Sequence, residues 1–409
     1  MQVMSVNQGN LNGSIMSTQN TSPKRPGNLD DQFGDYGVVR GPAGATTYSL
    51  TSQPGGKLIY AVHSANQYLI YRTNSDGQSD PSFGNNGSVS GKFLEDKNNK
   101  PIRLISRDKK ILIIGDALSG AEGTPAANRL NESGSPDLIF KNVLVPHPAI
   151  SSNADASDGA VLEDGRILIL SQRTKDGGES HNVGQLTCML PDGTPDRTFG
   201  DQGHITVFLG DQLNRMVSVA IQTDDKIVIG MDYITLPSGS QTVLCRYTSQ
   251  GKLDKSFGTD GYTRLGPDRG TYGLNKMIAQ HDGKLICVGT TGFSKAFIMR
   301  YNEKGSPDPG FNGGKEVLME IPYGGRLSAV GVQPEDGKIV AAGWSGSPMR
   351  MFWGRLNEDG TNDSSFGDEG WVRDLAGGIP HDILVQDGRF IIAGEGSRPT
   401  EAVLYGILR

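Results

Sequence analysis

Asp-x-x-Phe occurs seven times along the chain: Asp30–Phe33, Asp80–Phe83, Asp137–Phe140, Asp196–Phe199, Asp254–Phe257, Asp308–Phe311 and Asp363–Phe366. Successive phenylalanines stand 50, 57, 59, 58, 54 and 55 residues apart. A period of this size marks a repeat architecture and overrides the length prior for several unrelated domains. In five copies Gly-x-x-Gly begins directly after the phenylalanine, as in FGDYG from 33 and FGDEG from 366. The copy at Phe311 reads FNGG, and the copy at Phe140 has lost its glycines.

A second signature lies between these motifs, again seven times: GGKLIYAV, DKKILIIG, DGRILILS, DDKIVIGM, DGKLICVG, DGKIVAAG and DGRFIIAG. Each is a turn followed by a short β-branched run, the mark of a hairpin. Every unit parses into four strands: A before this turn (MVSVAIQ, 216–222), B after it, C (TVLCRYT, 242–248), and D after the Phe-Gly motif (GHITVFL, 203–209). No segment keeps a helical period. The pattern predicts an all-β, seven-bladed β-propeller with four antiparallel strands per blade. The chain opens on a strand D (YGVVRG, 36–41) and ends on strands A, B and C. That phase predicts a ring closed by the N-terminal strand completing the C-terminal blade, which removes open edges. Residues 1–26 are expected to be a disordered tail and residues 27–409 one propeller domain.

The 57 glycines suit a turn-rich protein, and 39 basic against 45 acidic residues argue against a nucleic-acid partner, which needs a concentrated basic surface. Cys188, Cys245 and Cys287 are odd in number and sit in apolar runs, so they read as buried thiols rather than a disulfide framework. The absence of CxxC or paired-histidine spacing points to no metal site, and nothing implies a cofactor. No apolar run is long enough for a membrane helix, and no secretory leader is visible, so a reducing cytoplasm is the expected compartment and a monomer the expected state.

The run DGKIVAAG…RLNEDGTNDSSFGDEG resembles the bacterial delta-60 repeat, a β-propeller repeat of unknown function. The resemblance covers residues 27–409; it implies the architecture and no activity.

The repeated Asp reads as a turn acceptor for backbone N–H groups, because a feature present in every unit serves every unit. Arg72, Arg129, Arg246, Arg300 and Arg355 each precede the turn glycine by five residues and are expected to pair with a turn carboxylate; Cys188 stands at that place in the third unit. Function is expected on the opposite face, where the B–C and D–A connections vary, above all 145–157 and 172–184. Candidate binding residues there are Tyr48, Tyr272, Tyr323 and Trp344, with His147 and His181 in the long loops. The aromatics suit stacking on a sugar or a partner side chain, but packing beneath loops is an open alternative. No nucleophile elbow or phosphate loop is present, and carboxylates from different blades would leave no local spacing. The leading expectation is a non-catalytic scaffold binding a protein partner through the variable loop face. The alternative is a carbohydrate-binding (lectin-like) or carbohydrate-processing propeller.

Overall fold

The computed structural model describes residues 25–120, 122–140, 142–145, 154–174, 182–209, 213–235, 239–266, 271–292, 295–321, 324–346, 349–397 and 400–409. The alternating runs form antiparallel sheets. After β1 (Val38–Ala43), the first four-stranded sheet holds β2 (Thr46–Gln53), β3 (Lys57–Ser64), β4 (Gln67–Thr73) and β5 (Ser88–Gly91). The second holds β6 (Asn98–Arg107), β7 (Lys110–Ser119), β8 (Glu122–Asn131) and β9 (Asn142–Leu144). The third holds β10 (Ala154–Val161), β11 (Ile167–Thr174), β12 (Asn182–Met189) and β13 (His204–Val207). The fourth holds β14 (Leu213–Ile221), β15 (Ile227–Thr235), β16 (Gly239–Tyr247) and β17 (Tyr262–Arg264). The fifth holds β18 (Tyr272–Ala279), β19 (Leu285–Thr291), β20 (Lys295–Tyr301) and β21 (Val317–Glu320). The remaining strands are β22 (Gly325–Val332), β23 (Ile339–Ser345), β24 (Arg350–Leu356), β25 (Trp371–Gln386), β26 (Arg389–Ser397) and β27 (Thr400–Leu408).

The expectation of seven four-stranded blades, the last completed by the N-terminal strand, is corrected here. The described residues form six sheets, five of four strands and one of seven, in the order β1-β27-β26-β25-β24-β23-β22. The cause is β25, which runs 16 residues without a turn. It pairs with β24 from Trp371 to Gly377 and with β26 from Gly378 onward. The stretch AGGI at 376–379, where a D–A connection would fall, is strand. Gly378 sits at φ 130°, and a Cβ there would collide with the Glu395 carbonyl, so only glycine lets the two ladders run on. β1 pairs with β27 at the edge of this larger sheet instead of finishing a separate four-stranded one. The Pro26 carbonyl, inside the expected tail, accepts a hydrogen bond from Gly367 N–H at 2.9 Å.

The first strand of each repeat, β2, β6, β10, β14, β18, β22 and the second half of β25, contacts its successor, and β25 contacts β2. Apolar clusters fill the spaces between sheets; one joins Leu186 and Cys188 of the third to Met231 and Val243 of the fourth. All seven repeat phenylalanines are buried, and the three cysteines are buried and free.

The repeat Asp is a turn acceptor throughout. Its Oδ1 accepts the N–H two residues on, at 3.0–3.2 Å, in all seven copies. Its Oδ2 takes the strand-C arginine of its own repeat at 2.6–2.9 Å in five copies. Burial pushes the Asp137 carboxyl up, but Lys110 and Arg129 outweigh it and hold it at about 2. Asp254 is likewise raised by burial and brought down to about 2 by Ser256, Lys226 and Arg246. These values lie below the ordinary value of about 3.9, so the stabilisation is complete above pH ~4 and is lost as pH falls toward 2. Thermal midpoints followed by circular dichroism should therefore be level from neutral pH down to about 5 and fall steeply between about 4 and 2; an unchanged midpoint at pH 3 would contradict this account of the turn.

Candidate functional site

Each first strand carries one irregularity at the same place. The register slips past Tyr48, Ile102, Ser157, Val217, Asn275, Ser328 and His381, one β-bulge per repeat. A bulge opposes two residues to one and re-aims a side chain, and such features gather beside sites. Pro101 and Pro380 directly precede two of them, where a missing N–H costs least. Tyr48, Ile102, Val217, Asn275, Ser328 and His381 line a single pocket of about 310 Å³ between the first strands. Arg103, Asp158, Lys276 and Asp382, each one residue beyond a bulge, line it too, with Arg326 and Trp344.

The charges at its base form a closed network. Asp158 Oδ2 accepts from Ser218 Oγ at 2.8 Å and from Val219 N–H at 3.2 Å. Asp382 repeats this across another junction, accepting from Ser49 Oγ at 3.0 Å and Leu50 N–H at 3.2 Å. Arg103 lies between them, 3.7 Å from Asp158 and 3.8 Å from Asp382, and Lys276 stands 3.6 Å from Asp158. Burial raises the Asp158 carboxyl, but Lys276, Arg103 and Ser218 overcome it and leave it below the ordinary carboxylate range. An acid catalyst at neutral pH needs the opposite shift, so Asp158 is a fixed anion here.

Above this base stand aromatic and cationic groups. The Tyr48 ring lies 5.0 Å from His381, and Lys100 Nζ sits 4.6 Å from the Tyr48 centroid. The Arg326 guanidinium lies 4.8 Å over Trp344, its cross-strand partner. Burial, then the Lys100 charge, pushes His381 down to about 4, so its imidazole is neutral at pH 7.

Of the residues singled out from sequence, Tyr48 and Trp344 line this pocket. Tyr272 is in the core: it is 3% exposed, meets Phe297 edge-on, and donates its hydroxyl to Glu316 at 2.9 Å. His147, His181 and Tyr323 lie outside the described residues, as do 175–181 of the long B–C loop. Sequence reasoning missed Arg103, Lys276, Arg326 and His381. The signal available was the column of the aligned strands A that follows the bulge, Ser49/Arg103/Asp158/Ser218/Lys276/Ala329/Asp382, which carries four charged side chains directly before the apolar column Leu50/Leu104/Gly159/Val219/Met277/Val330/Ile383. Among the described residues no group of three or more His, Cys, Asp and Glu is placed to hold a metal ion. No described helix is long and apolar enough to cross a membrane, which says nothing of a β-barrel. A larger cleft, about 780 Å³, opens at the outer strands near Tyr233, Tyr262 and Arg264, but Arg264 is its one charged lining residue among those described.

A family model described as "Domain of unknown function (DUF5122) beta-propeller" matches residues 280–311, which supports a β-propeller repeat and not the delta-60 name in particular. No curated protein matches the chain. Among solved structures, the chain is similar to the polysaccharide lyase Uly1, with TM-score 0.50 and 12% identity over 96% of this chain and 94% of that one. It is also similar to a protein of unknown function from Dyadobacter fermentans DSM 18053, with TM-score 0.47 and 13% identity over 91% and 100%. An α-L-arabinanase of Penicillium chrysogenum complexed with arabinobiose gives TM-score 0.48 and 12% identity over 78% and 98%. At such identities the likeness to Uly1 shows the propeller fold alone.

Proposed function

We propose that this propeller binds a carbohydrate in the pocket enclosed by its first strands, without turning it over. One observation carries the reading: two aromatic rings, Tyr48 and Trp344, line the same small pocket together with hydrogen-bonding side chains, Asn275 and Ser328. Apolar ring faces with a few fixed polar groups are what a saccharide needs, C–H faces for the rings and hydroxyls for the donors and acceptors. A volume of about 310 Å³ accommodates a short stretch of sugar rather than a protein segment. Binding without turnover follows from the base of the pocket, where the one carboxylate pair is tied to Arg103 and Asp158 is held ionised. The rival reading, a protein-binding scaffold, has no comparable arrangement of side chains behind it among the described residues.

Immobilised glycans screened with the full chain, followed by calorimetry on the retained class, test this. Trp344→Ala is expected to weaken binding at least about tenfold, near 1.4 kcal/mol, with little change in the thermal midpoint, since Trp344 is only half-buried. Retention of no glycan would overturn the reading, and release of new reducing ends would overturn its non-catalytic part.

A further inference from the structure

We infer that the saccharide taken by this pocket is anionic, carrying a ring carboxylate or a sulfate ester, with Arg326 as its anchor and Lys100 as a second cation. The inference rests on the carbohydrate reading above and adds the charge of the ligand.

Among the described residues, the carboxylates of the pocket's lining, Asp158 and Asp382, and those of the adjoining second strands, Asp116, Asp232 and Glu395, are engaged. Asp158 and Asp382 hold Arg103, and Asp158 also holds Lys276. Asp232 is ion-paired with Arg215. Glu395 accepts from Thr46 Oγ1 at 2.8 Å. Asp116, opposite Lys100 in register, is buried and has an interaction of its own. Two cations are left over. Among the described residues neither Lys100 nor Arg326 has a carboxylate within ion-pair distance, and each rests on an aromatic face instead, Lys100 on Tyr48 at 4.6 Å and Arg326 on Trp344 at 4.8 Å.

That arrangement differs from the other arginines in the fold. The strand-C arginines are also seated on rings, Arg72 over Phe83 at 4.8 Å for one, but each spends its donors on an aspartate. Arg326 has the ring without the acid. Stacking leaves the guanidinium charged and its edge donors free, in the planar fork that suits a carboxylate or sulfate. The rings beneath the two cations line the same pocket, so a saccharide bound there brings its substituents to these donors. The neutral His381 adds no competing charge at neutral pH.

The probes are oligogalacturonate and hyaluronan oligosaccharides with their carboxyl-reduced counterparts, and sulfated carrageenan oligosaccharides with their desulfated counterparts. Calorimetry is run on the full chain and on Arg326→Gln, Lys100→Gln and Trp344→Ala. At least one anionic probe should bind about 30-fold or more tightly than its neutral counterpart, and affinity should fall with added salt. Arg326→Gln should erase most of that preference, weakening the anionic probe far more than its neutral counterpart, and Lys100→Gln should erase a smaller share. The carboxylate and sulfate arms tell the two sources apart. Equal binding of charged and neutral partners, or a preference that survives Arg326→Gln, overturns the anion inference and leaves the carbohydrate reading standing. Binding of no probe of either kind overturns the anion inference, and retention of no glycan in the wider screen overturns the carbohydrate reading with it. Arg326 is exposed and carries no ion pair among the described residues, so a thermal midpoint equal to that of the parent shows that the variant is folded.

Discussion

Arg103→Met is expected to lower the unfolding free energy by about 3 kcal/mol, at the lower end of the cost of removing one partner from a buried ion pair. The side chain spans three sheets, reaching from β6 to Asp158 on β10 and to Asp382 on β25. Its loss leaves two carboxylates enclosed. Asp382 then keeps Ser49 Oγ and Leu50 N–H, and Asp158 keeps Ser218, Val219 N–H and the more distant Lys276. Those remaining partners, and the 29% exposure of the Arg103 side chain, are why the larger values in the usual range are not expected. Urea titration followed by tryptophan fluorescence measures the difference. Arg103→Lys, which keeps the charge and loses the fork, should recover about half of it. The deficit should also shrink below pH ~4. Asp158 is depressed in the parent, so its stabilisation is present above the unfolded carboxylate value and lost as pH falls; once it protonates, Arg103 has less to hold. An unchanged urea midpoint for Arg103→Met would show that the network contributes nothing to stability.

Arg246→Cys is expected to cost about 2–3 kcal/mol, and adding Lys226→Arg to return at least half of it. Arg246 donates to Asp254 at 2.9 Å, to Gln222 at 3.1 Å and to the Glu303 carbonyl of the next sheet at 2.6 Å. It is therefore both a turn clamp and a latch between sheets. The rescue is suggested by two repeats that lack this arginine. Where Cys188 replaces it, Arg166 at the head of strand B reaches Asp196 at 3.2 Å and the Ser249 carbonyl of the next sheet at 2.8 Å. Where Gly406 replaces it, Arg389 reaches Asp30 at 2.9 Å and the Ser75 carbonyl at 3.2 Å. In the other five repeats that strand-B position is lysine: Lys57, Lys110, Lys226, Lys284 and Lys338. Arginine thus stands on strand B in the two repeats that lack it on strand C, because one guanidinium is needed to bridge the carboxylate and the neighbouring carbonyl. A double-mutant cycle by urea unfolding should give a coupling of about 1–2 kcal/mol between positions 226 and 246. Additive losses would show that the strand-B arginines are not substitutes.

The exchange of lysine for arginine was present in the sequence, in DGR at 164–166 and DGR at 387–389 against Cys188 and Gly406. It became legible once the structure put the heads of strands B and C beside the same aspartate. The repeats themselves were open to reading, since turn glycines, β-branched runs and buried phenylalanines are local requirements of each unit. Tyr48 and Trp344 could be singled out because a large aromatic beside a strand end is unusual in this chain. Tyr272 has the same local appearance and is buried on Glu316. Its environment is set by Phe297 and by the strand beyond, which no local pattern records.

By itself, the sequence determined the all-β class, the sevenfold recurrence of its two motifs and the role of the repeat aspartate, because each depends on contacts within about ten residues or on a pattern recurring at fixed period. Three things were decided only in three dimensions. The run through Gly377 and Gly378 merges two units into one seven-stranded sheet, because hydrogen bonding on both edges of β25 outweighs the turn tendency of its glycines. The bulges bring residues more than 300 positions apart, Tyr48 and His381, to one pocket. And the pairing of charges there leaves Lys100 and Arg326 without a carboxylate among the described residues, since which cation meets which acid depends on distances between strands that share no stretch of chain.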